Sequence, residues 1–320
     1  MEILIYHPSL RIPTEVAKEA MLVESLGYSG MVMPDHLYVL DFQTGSPLPY
    51  PHPLAVLSAA AAVTKRIKLL SLVSNNLARG PVELAHQTAT LANLAPGRVE
   101  LAIGAGWFAE EHISAGVKFP TGGERIERLT ETVAICRALF ANAQVQHDGN
   151  YYKVNIPIGG FTPVSSNIPI LVGAAAPRMI RAAAQIADRV DLQPNALSGG
   201  GADLNAYNSY TFELLAAGVE QVQKAAQAVG RKVKVSASPF VLSTTSETEA
   251  DLARKSMADF VGLPLNVIED SFGTLIGTFD QIREKVKRYT TAGCDRIHLQ
   301  ALNPEAAEQL APMLSEFLTL

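Results

Sequence analysis

Asp35 and His36 stand together where a short apolar run, Gly30 to Pro34, gives out. A carboxylate beside an imidazole is an acid–base pair, because histidine gains or loses its proton near neutral pH and an acid can orient it. His7 follows the first apolar run in the same way. Each has a plainer reading too: Asp35-His36 ordering a loop, His7 a partly buried structural histidine. The other apolar runs end in small residues and bare backbone. Leu70 to Val73 runs into Ser74-Asn75, and Arg98 to Ile103 runs into Gly104-Ala105-Gly106 and the single Trp, Trp107. These two strand ends, Ser74-Asn75 and Gly104 to Trp107, expose backbone and make a floor on which a flat ring could lie. A tight packing turn would explain Gly104-Ala105-Gly106, and core filling would explain Trp107.

Val172-Gly173-Ala174-Ala175-Ala176-Pro177 leaves backbone N–H groups uncovered at the start of a helix, with Pro177 at its first position and Arg178 adjacent. The partial positive charge of a helix start favours a phosphate there. An ordinary strand-to-helix turn remains the alternative. No Lys ends a strand, so Schiff-base chemistry has no candidate, and carboxylates do not cluster, so no metal site is expected. Mouths built from backbone suit a cofactor that carries its own reactivity.

The elements positioning these residues alternate. Strands are expected at 2–6, 30–34, 67–73, 98–103, 169–172, 189–193, 233–242 and 295–300. Helices are expected at 14–26 (Thr14 as N-cap, Gly27 as stop), 54–64, 82–94, 121–140, 177–187, 208–229, 247–261, 279–292 and 304–318. His147-Asp-Gly-Asn150 signals a hairpin within 144–156. Short apolar runs alternating with helices predict a parallel (β/α)₈ TIM barrel spanning 1–320 as one domain. Insertions are expected at 38–52, 141–168 (holding the hairpin), 194–207 and 262–278, and those on the C-terminal side of strands would wall the mouth. The strand ends there read Tyr6-His7, Asp35-His36, Ser74-Asn75, Gly106-Trp107, Gly173-Ala174, Gln193 to Asn195, Ser243-Thr244 and Gln300. An open doubly wound sheet loses support because the first strand–helix turn carries no Gly-x-Gly-x-x-Gly. His298, inside the last strand, reads as core or internally hydrogen-bonded. Arg125, Glu127 and Glu131 share a helix face and read as a solvated or interfacial ion-pair set.

Apolar residues make up 48% and charged residues 18%, enough to build a large core. With 26 Lys and Arg against 31 Asp and Glu, the net charge of −5 argues against nucleic acid or an anionic membrane as main partner. Cys136 and Cys294 lack a disulfide pattern and fit a reducing, cytoplasmic setting. Met1 to Tyr6 lacks a basic region and reads as a strand rather than a signal peptide. The run from Pro53 to Thr64 is too short to span a bilayer.

Taken in order, these segments resemble the luciferase-like flavin/deazaflavin oxidoreductase family. The matching pieces are Gly27-Tyr28 to Met33-Pro-Asp-His36, Ile67 to Asn75 with Arg79-Gly-Pro81, Leu94-Ala-Pro-Gly-Arg98 to Trp107, Phe119-Pro with Arg125, Pro169 to Gly173, Ala187-Asp188, and Ile276-Gly-Thr278 to Ala292-Gly-Cys-Asp295. They cover nearly the whole chain. The resemblance implies a (β/α)₈ barrel that binds coenzyme F-420, or alternatively FMN, at its C-terminal mouth. It implies a non-prolyl cis peptide at Leu72–Val73 under the ring, with Asn75 at the ring's polar edge. Gly104 to Trp107 would meet the ring or side chain, and Gly173 to Ala176 the phosphate.

An Asp-His pair ending the second strand resembles the deazaflavin-dependent branch. His36 would then be the acid/base or substrate-orienting group beside the hydride-carrying carbon, with Asp35 fixing its tautomer or its loop. The sugar-phosphate branch carries Glu after its Gly-x-Gly, whereas this chain has Trp107, so that role loses support and a more apolar pocket is implied. The expected activity is hydride transfer between F-420 and a small organic substrate. Alternatives are an FMNH₂-dependent monooxygenase fed by a separate reductase, a non-catalytic flavin-binding relative, and a sugar-phosphate barrel without a redox cofactor. A homodimer is expected from the resemblance.

Overall fold

The computed structural model describes every residue except 42–43, 165–166, 195–196, 199–200 and 318–320. Eleven strands form the main sheet: β1 (Glu2–Tyr6), β2 (Gly30–Met33), β3 (Lys68–Ser71), β4 (Ser74–Asn75), β5 (Leu101–Gly104), β6 (Ile170–Ala174), β7 (Arg189–Leu192), β8 (Lys234–Ala237), β9 (Phe240–Ser243), β10 (Thr274–Gly277) and β11 (Arg296–Ala301). The order is β3-β2-β1-β11-β8-β7-β6-β5-β4, with every pairing parallel. β3 and β4 are two halves of one stave, and a bridge from Leu69 to Val99 brings β3 back beside β5. Eight staves thus close a (β/α)₈ TIM barrel, as the strand–helix alternation predicts. Among the described residues no helix is long and apolar enough to cross a membrane.

The helices that position the mouth are α1 (Val16–Ser25), α2 (Pro53–Val63), α3 (Pro81–Leu94), α4 (Ala109–Ser114), α5 (Gly122–Phe140) and α6 (Pro177–Ile186). Pro begins α2, α3 and α6, where its missing N–H costs nothing. Thr121 caps α5 by accepting from the Glu124 N–H.

Several expectations are corrected. Thr14 is not an N-cap, since Pro13–Glu15 form a 3₁₀ turn and α1 starts at Val16 without a side-chain cap. The 233–242 run is two strands, because Pro239 interrupts it between β8 and β9. The 262–278 segment is not simply a loop: it holds a helix, Leu265–Asp270, and β10, which pairs with β9 outside the ring. The 38–52 segment contains the antiparallel pair Tyr38–Leu40 and Pro47–Pro49. The 208–229 helix divides into Leu204–Asn208 and Phe212–Gln227. The last helix breaks at a 3₁₀ turn, Ala311–Met313, where Pro312 removes an N–H; residue 318, its expected end, lies outside the described residues, as does Asn195. The hairpin Val145–Asp148/Lys153–Ile156 lies within 141–168.

Arg296 begins β11 and Glu100 precedes β5, on opposite sides of the ring, yet two bonds of 2.7 Å join them. Both side chains therefore fill the lumen. Glu2 adds a contact to Arg296 at 2.6 Å, and Lys68 reaches Glu2 at 2.5 Å and Glu100 at 3.4 Å. The alternation of strand side chains then turns Leu4, His298 and Ala102 inward one layer up, and Tyr6, Gln300 and Gly104 inward at the mouth. His298 is internally hydrogen-bonded as expected, with Nδ1 3.0 Å from Asp191, whose oxygens also accept from Ser236 and Ser238 at 2.7 Å. The barrel is thus plugged by charge below and by this polar cluster in the middle.

Burial opposes charge on Glu100, but the Arg296 guanidinium outweighs it and brings the carboxyl down to about 2. A carboxyl near 4.5 in the unfolded chain and near 2 in the fold contributes about 3 kcal/mol above pH 4.5, lost as pH falls towards 2. Glu100→Gln should therefore cost about 3–5 kcal/mol at pH 7, because Arg296 is left buried without full charge compensation. Urea unfolding at pH 7 and pH 3 checks this: the gap between variant and parent should narrow at pH 3. An unchanged gap would contradict it.

Candidate active site

The peptide bond between Leu72 and Val73 is cis, as the resemblance implies, and it separates β3 from β4. The Val73 side chain lies against two glycine backbones. A Cβ on Gly104 would stand 2.6 Å from Val73 Cγ2, and one on Gly173 would stand 3.4 Å from Cγ1. Only glycine at 104 lets the link settle that deeply, since valine is stiff about χ1. Gly106 has φ +82°, and a Cβ there would meet Leu77 at 3.1 Å and His112 at 3.3 Å. Gly104, Ala105, Gly106 and Trp107 thus continue the floor away from Leu72–Val73, and Trp107 is half-buried rather than filling core.

Asp35 and His36 turn to different partners. The Asp35 carboxylate accepts from the Asn75 N–H at 2.8 Å and pairs with both terminal nitrogens of Arg79. Burial opposes charge on Arg79, but Asp35 holds the guanidinium above its ordinary value. Arg79 in turn lies 3.0 Å from His52 Nε2. Burial, then the Arg79 charge, push His52 below its usual range and keep it neutral. Asp35 therefore orders its loop and does not set the His36 tautomer.

That second role falls to Glu111, on α4, a residue and a helix the sequence reading did not anticipate. Its Oε2 lies 2.9 Å from His36 Nδ1, and its Oε1 accepts from the Leu37 N–H at 2.5 Å. With the carboxylate accepting at Nδ1, the neutral ring keeps its proton there and leaves Nε2 bare. His36 Nε2 has no hydrogen bond among the described residues. Trp107 meets His36 edge-on at 5.5 Å, and Tyr50 does so at 6.4 Å. Tyr50 also lies 6.4 Å from Tyr6, and the buried Tyr6 hydroxyl has the Tyr50 side chain as its polar neighbour. Asn75 is tied into the same corner: its Oδ1 accepts from the Leu77 N–H at 3.1 Å and sits 3.0 Å from His112 Nε2.

Gly173, Ala174, Ala175 and Ala176 lead into α6, whose N-terminus has no side-chain cap and no acidic residue in its first turn. Its first N–H groups are free for an anion. Gly123, in the first turn of α5, stands so close to Arg178 that an added Cβ would lie 3.1 Å from the guanidinium. The Arg178 side chain thus reaches from the start of α6 to the start of α5, where Glu127 lies 3.7 Å from it. Arg125, Glu127 and Glu131 do not pair among themselves. Glu131 accepts from the N–H groups of Asn150, Tyr151 and Tyr152 in the hairpin, Glu127 accepts from the Tyr151 hydroxyl, and Arg125 donates to the Pro120 carbonyl. His7 is structural: Nδ1 accepts from the Ser9 N–H and Nε2 meets the Pro304 carbonyl. Among the described residues no cluster of ligating side chains could hold a metal.

Residues 6–264 match the profile of luciferase-like monooxygenases. The chain belongs to that family. Among luciferase-like relatives, the F420-dependent glucose-6-phosphate dehydrogenase of Nocardia farcinica is 30% identical over 262 residues, 79% of this chain and 71% of that one. An uncharacterised protein of Mycobacterium tuberculosis is 34% identical over 172 residues, which span 60% of its length and 50% of this chain. Of solved structures, an F420-dependent secondary alcohol dehydrogenase in complex with an F420-acetone adduct superposes with TM-score 0.81 at 15% identity, covering 99% of this chain and 98% of that one. The F420-dependent tetrahydromethanopterin reductase of Methanopyrus kandleri gives 0.73 at 18% identity, with 97% and 96% covered. At these identities the superpositions establish the shared fold.

Gly104→Ala should displace Val73 and disturb the floor while leaving the barrel folded, since the contact is local. The expected result is at least tenfold weaker cofactor binding in a titration with near-parental thermal unfolding. Parental affinity would show that the floor does not meet the ring.

Proposed function

We propose that this chain is an F-420-dependent oxidoreductase acting on a small, largely apolar alcohol or carbonyl compound. The observation that carries the reading is the His36–Glu111 pair: a histidine with one nitrogen held by a buried carboxylate and the other bare, beside a floor of backbone and glycine. The residues present fit a planar heterocycle bearing a phosphate. The close-set Val73, Gly104 and Gly173 offer the floor, and the uncapped start of α6 with Arg178 suits the phosphate. When bound, the deazaflavin supplies a hydride acceptor or donor at its C5.

His36 Nε2 takes the hydroxyl proton as an alcohol is oxidised, and returns it in the reverse direction. Glu111 holds the ring in the tautomer that makes this possible and stabilises the imidazolium that forms. Trp107, Tyr50 and Tyr6 exclude water and favour an apolar substrate over a sugar phosphate. The names of the N. farcinica relative and of the alcohol dehydrogenase neighbour support F-420 over FMN.

Titrating the purified protein with F-420 and with FMN, followed by absorbance, tests the cofactor. Saturable F-420 binding is expected; tight FMN binding with none for F-420 would overturn the reading and favour a reduced-flavin monooxygenase. His36→Ala should lower turnover roughly 10²–10⁴-fold with F-420 affinity retained. Glu111→Gln should lower kcat by about tenfold or more, again without loss of binding. Turnover unaffected by both changes would point instead to a residue outside this pair, or to a binding protein without catalysis.

A further inference from the structure

A separate cleft of about 410 Å³ opens beside β10, between the helices Glu247–Val261, Leu265–Asp270 and Phe279–Thr291. Arg254, Glu269, Asp280, Glu284 and Lys285 line it. The Lys285 Nζ is shielded from solvent and has no hydrogen-bond partner among the described residues. Its neighbours explain why. Glu284 is held by Lys287 at 2.9 Å and Arg283 at 3.4 Å, and Asp280 by Arg283 at 3.3 Å. Asp270 pairs with Arg288 at 2.5 Å, and Glu269 lies 3.8 Å from Arg254. Every acid near the amine is engaged by another cation.

We propose that Lys285 is a site of covalent acylation that takes a short acyl group from an activated acyl donor, an acyl phosphate or acyl thioester. Burial, then the charges of Arg254 and Arg288, push the amine down to about 8, with Glu269 and Asp270 opposing. At pH 7.5 about a quarter of such amines are neutral, against about 0.1% of an ordinary lysine. Desolvation next to other cations is a recognised way to activate a lysine nucleophile. The neutral Nζ attacks the acyl carbonyl carbon and a C–N bond forms. The bond from that carbon to the phosphate oxygen or thiol sulfur breaks, its electron pair leaves with the leaving group, and the amine proton passes to water.

The surrounding cations favour a modification that removes the amine's positive charge. Methylation would keep a buried cation beside Arg254 and Arg288. An amide is neutral, removes the unpaired buried charge and fits the open volume.

Lys287 is the internal reference, because Glu284 and Glu316 hold it at 2.9 and 3.1 Å and these bonds raise it above the ordinary lysine value. The full-length protein is incubated with acetyl phosphate between pH 6.5 and 10.5, and the occupancy of each lysine is read by peptide mass spectrometry. Lys285 should acetylate at least tenfold faster than Lys287 at pH 7.5, with a rate that levels off above about pH 8. Equal rates at the two lysines, no labelling at Lys285, or a Lys285 rate still climbing beyond pH 10 would each overturn the proposal.

Discussion

Two buried carboxylates, Asp35 and Glu111, hold the ends of three neighbouring staves in one corner. Asp35 ties the loop after β2 to the backbone of Asn75 at the end of β4 and to Arg79 beyond it. Glu111 ties that same loop, through His36 and Leu37, to α4 beyond β5. His112, next to Glu111, closes the triangle against Asn75. The candidate floor and the candidate acid/base are therefore parts of one hydrogen-bonded unit. A displacement of one loop end is felt by the other two, which is how a site is held to the tolerance that catalysis requires.

Along its axis the barrel separates stability from chemistry. Its lower end is filled by Arg296, Glu100, Glu2 and Lys68, whose bonds cross the lumen. Its middle holds Asp191 and His298 in a cluster of hydroxyl donors. Its upper end carries Gly104, Gly173 and Val73, where backbone surfaces approach closely. Charges that cross the closed ring bind distant staves to each other, so the glycine-rich end does not have to supply that cohesion. The general division of such barrels, with stability below and reactivity above, is met here with particular side chains.

Most of this architecture could be read from the residues. Short apolar runs located all eight staves, and Pro81 and Pro177 marked helix starts. What escaped were elements too short to show a period. β10 has four residues and α4 has six, less than two turns, so neither displays alternation or a helical stripe. The break at Pro239 was visible as a residue but not as an interruption of the stave, because the apolar character continues through Phe240 and Val241. The Leu72–Val73 link came from resemblance, since no side-chain property of Leu or Val announces it. The close packing of Val73 on Gly104 and Gly173 joins three staves far apart in sequence and has no local signature.

Glu111 was missed for a reason that is geometric rather than statistical. Asp35 and His36 are adjacent, and adjacency suggests a working pair. Yet neighbouring residues leaving a strand direct their side chains to opposite sides, so one environment rarely serves both. Asp35 meets a guanidinium and a backbone amide, whereas His36 meets the rings of Tyr50 and Trp107. A carboxylate for the histidine then has to come from another loop, and the helix after β5 is the element that passes there. Its acidic first turn, Glu110 and Glu111, complements the helix dipole, and Glu111 is turned inward to 3% exposure. A buried acid is retained there because His36 Nδ1 and the Leu37 N–H satisfy both of its oxygens. The same two bonds give His36 a defined tautomer, so the chemistry assigned to this corner depends on a residue 75 positions away from the histidine it serves.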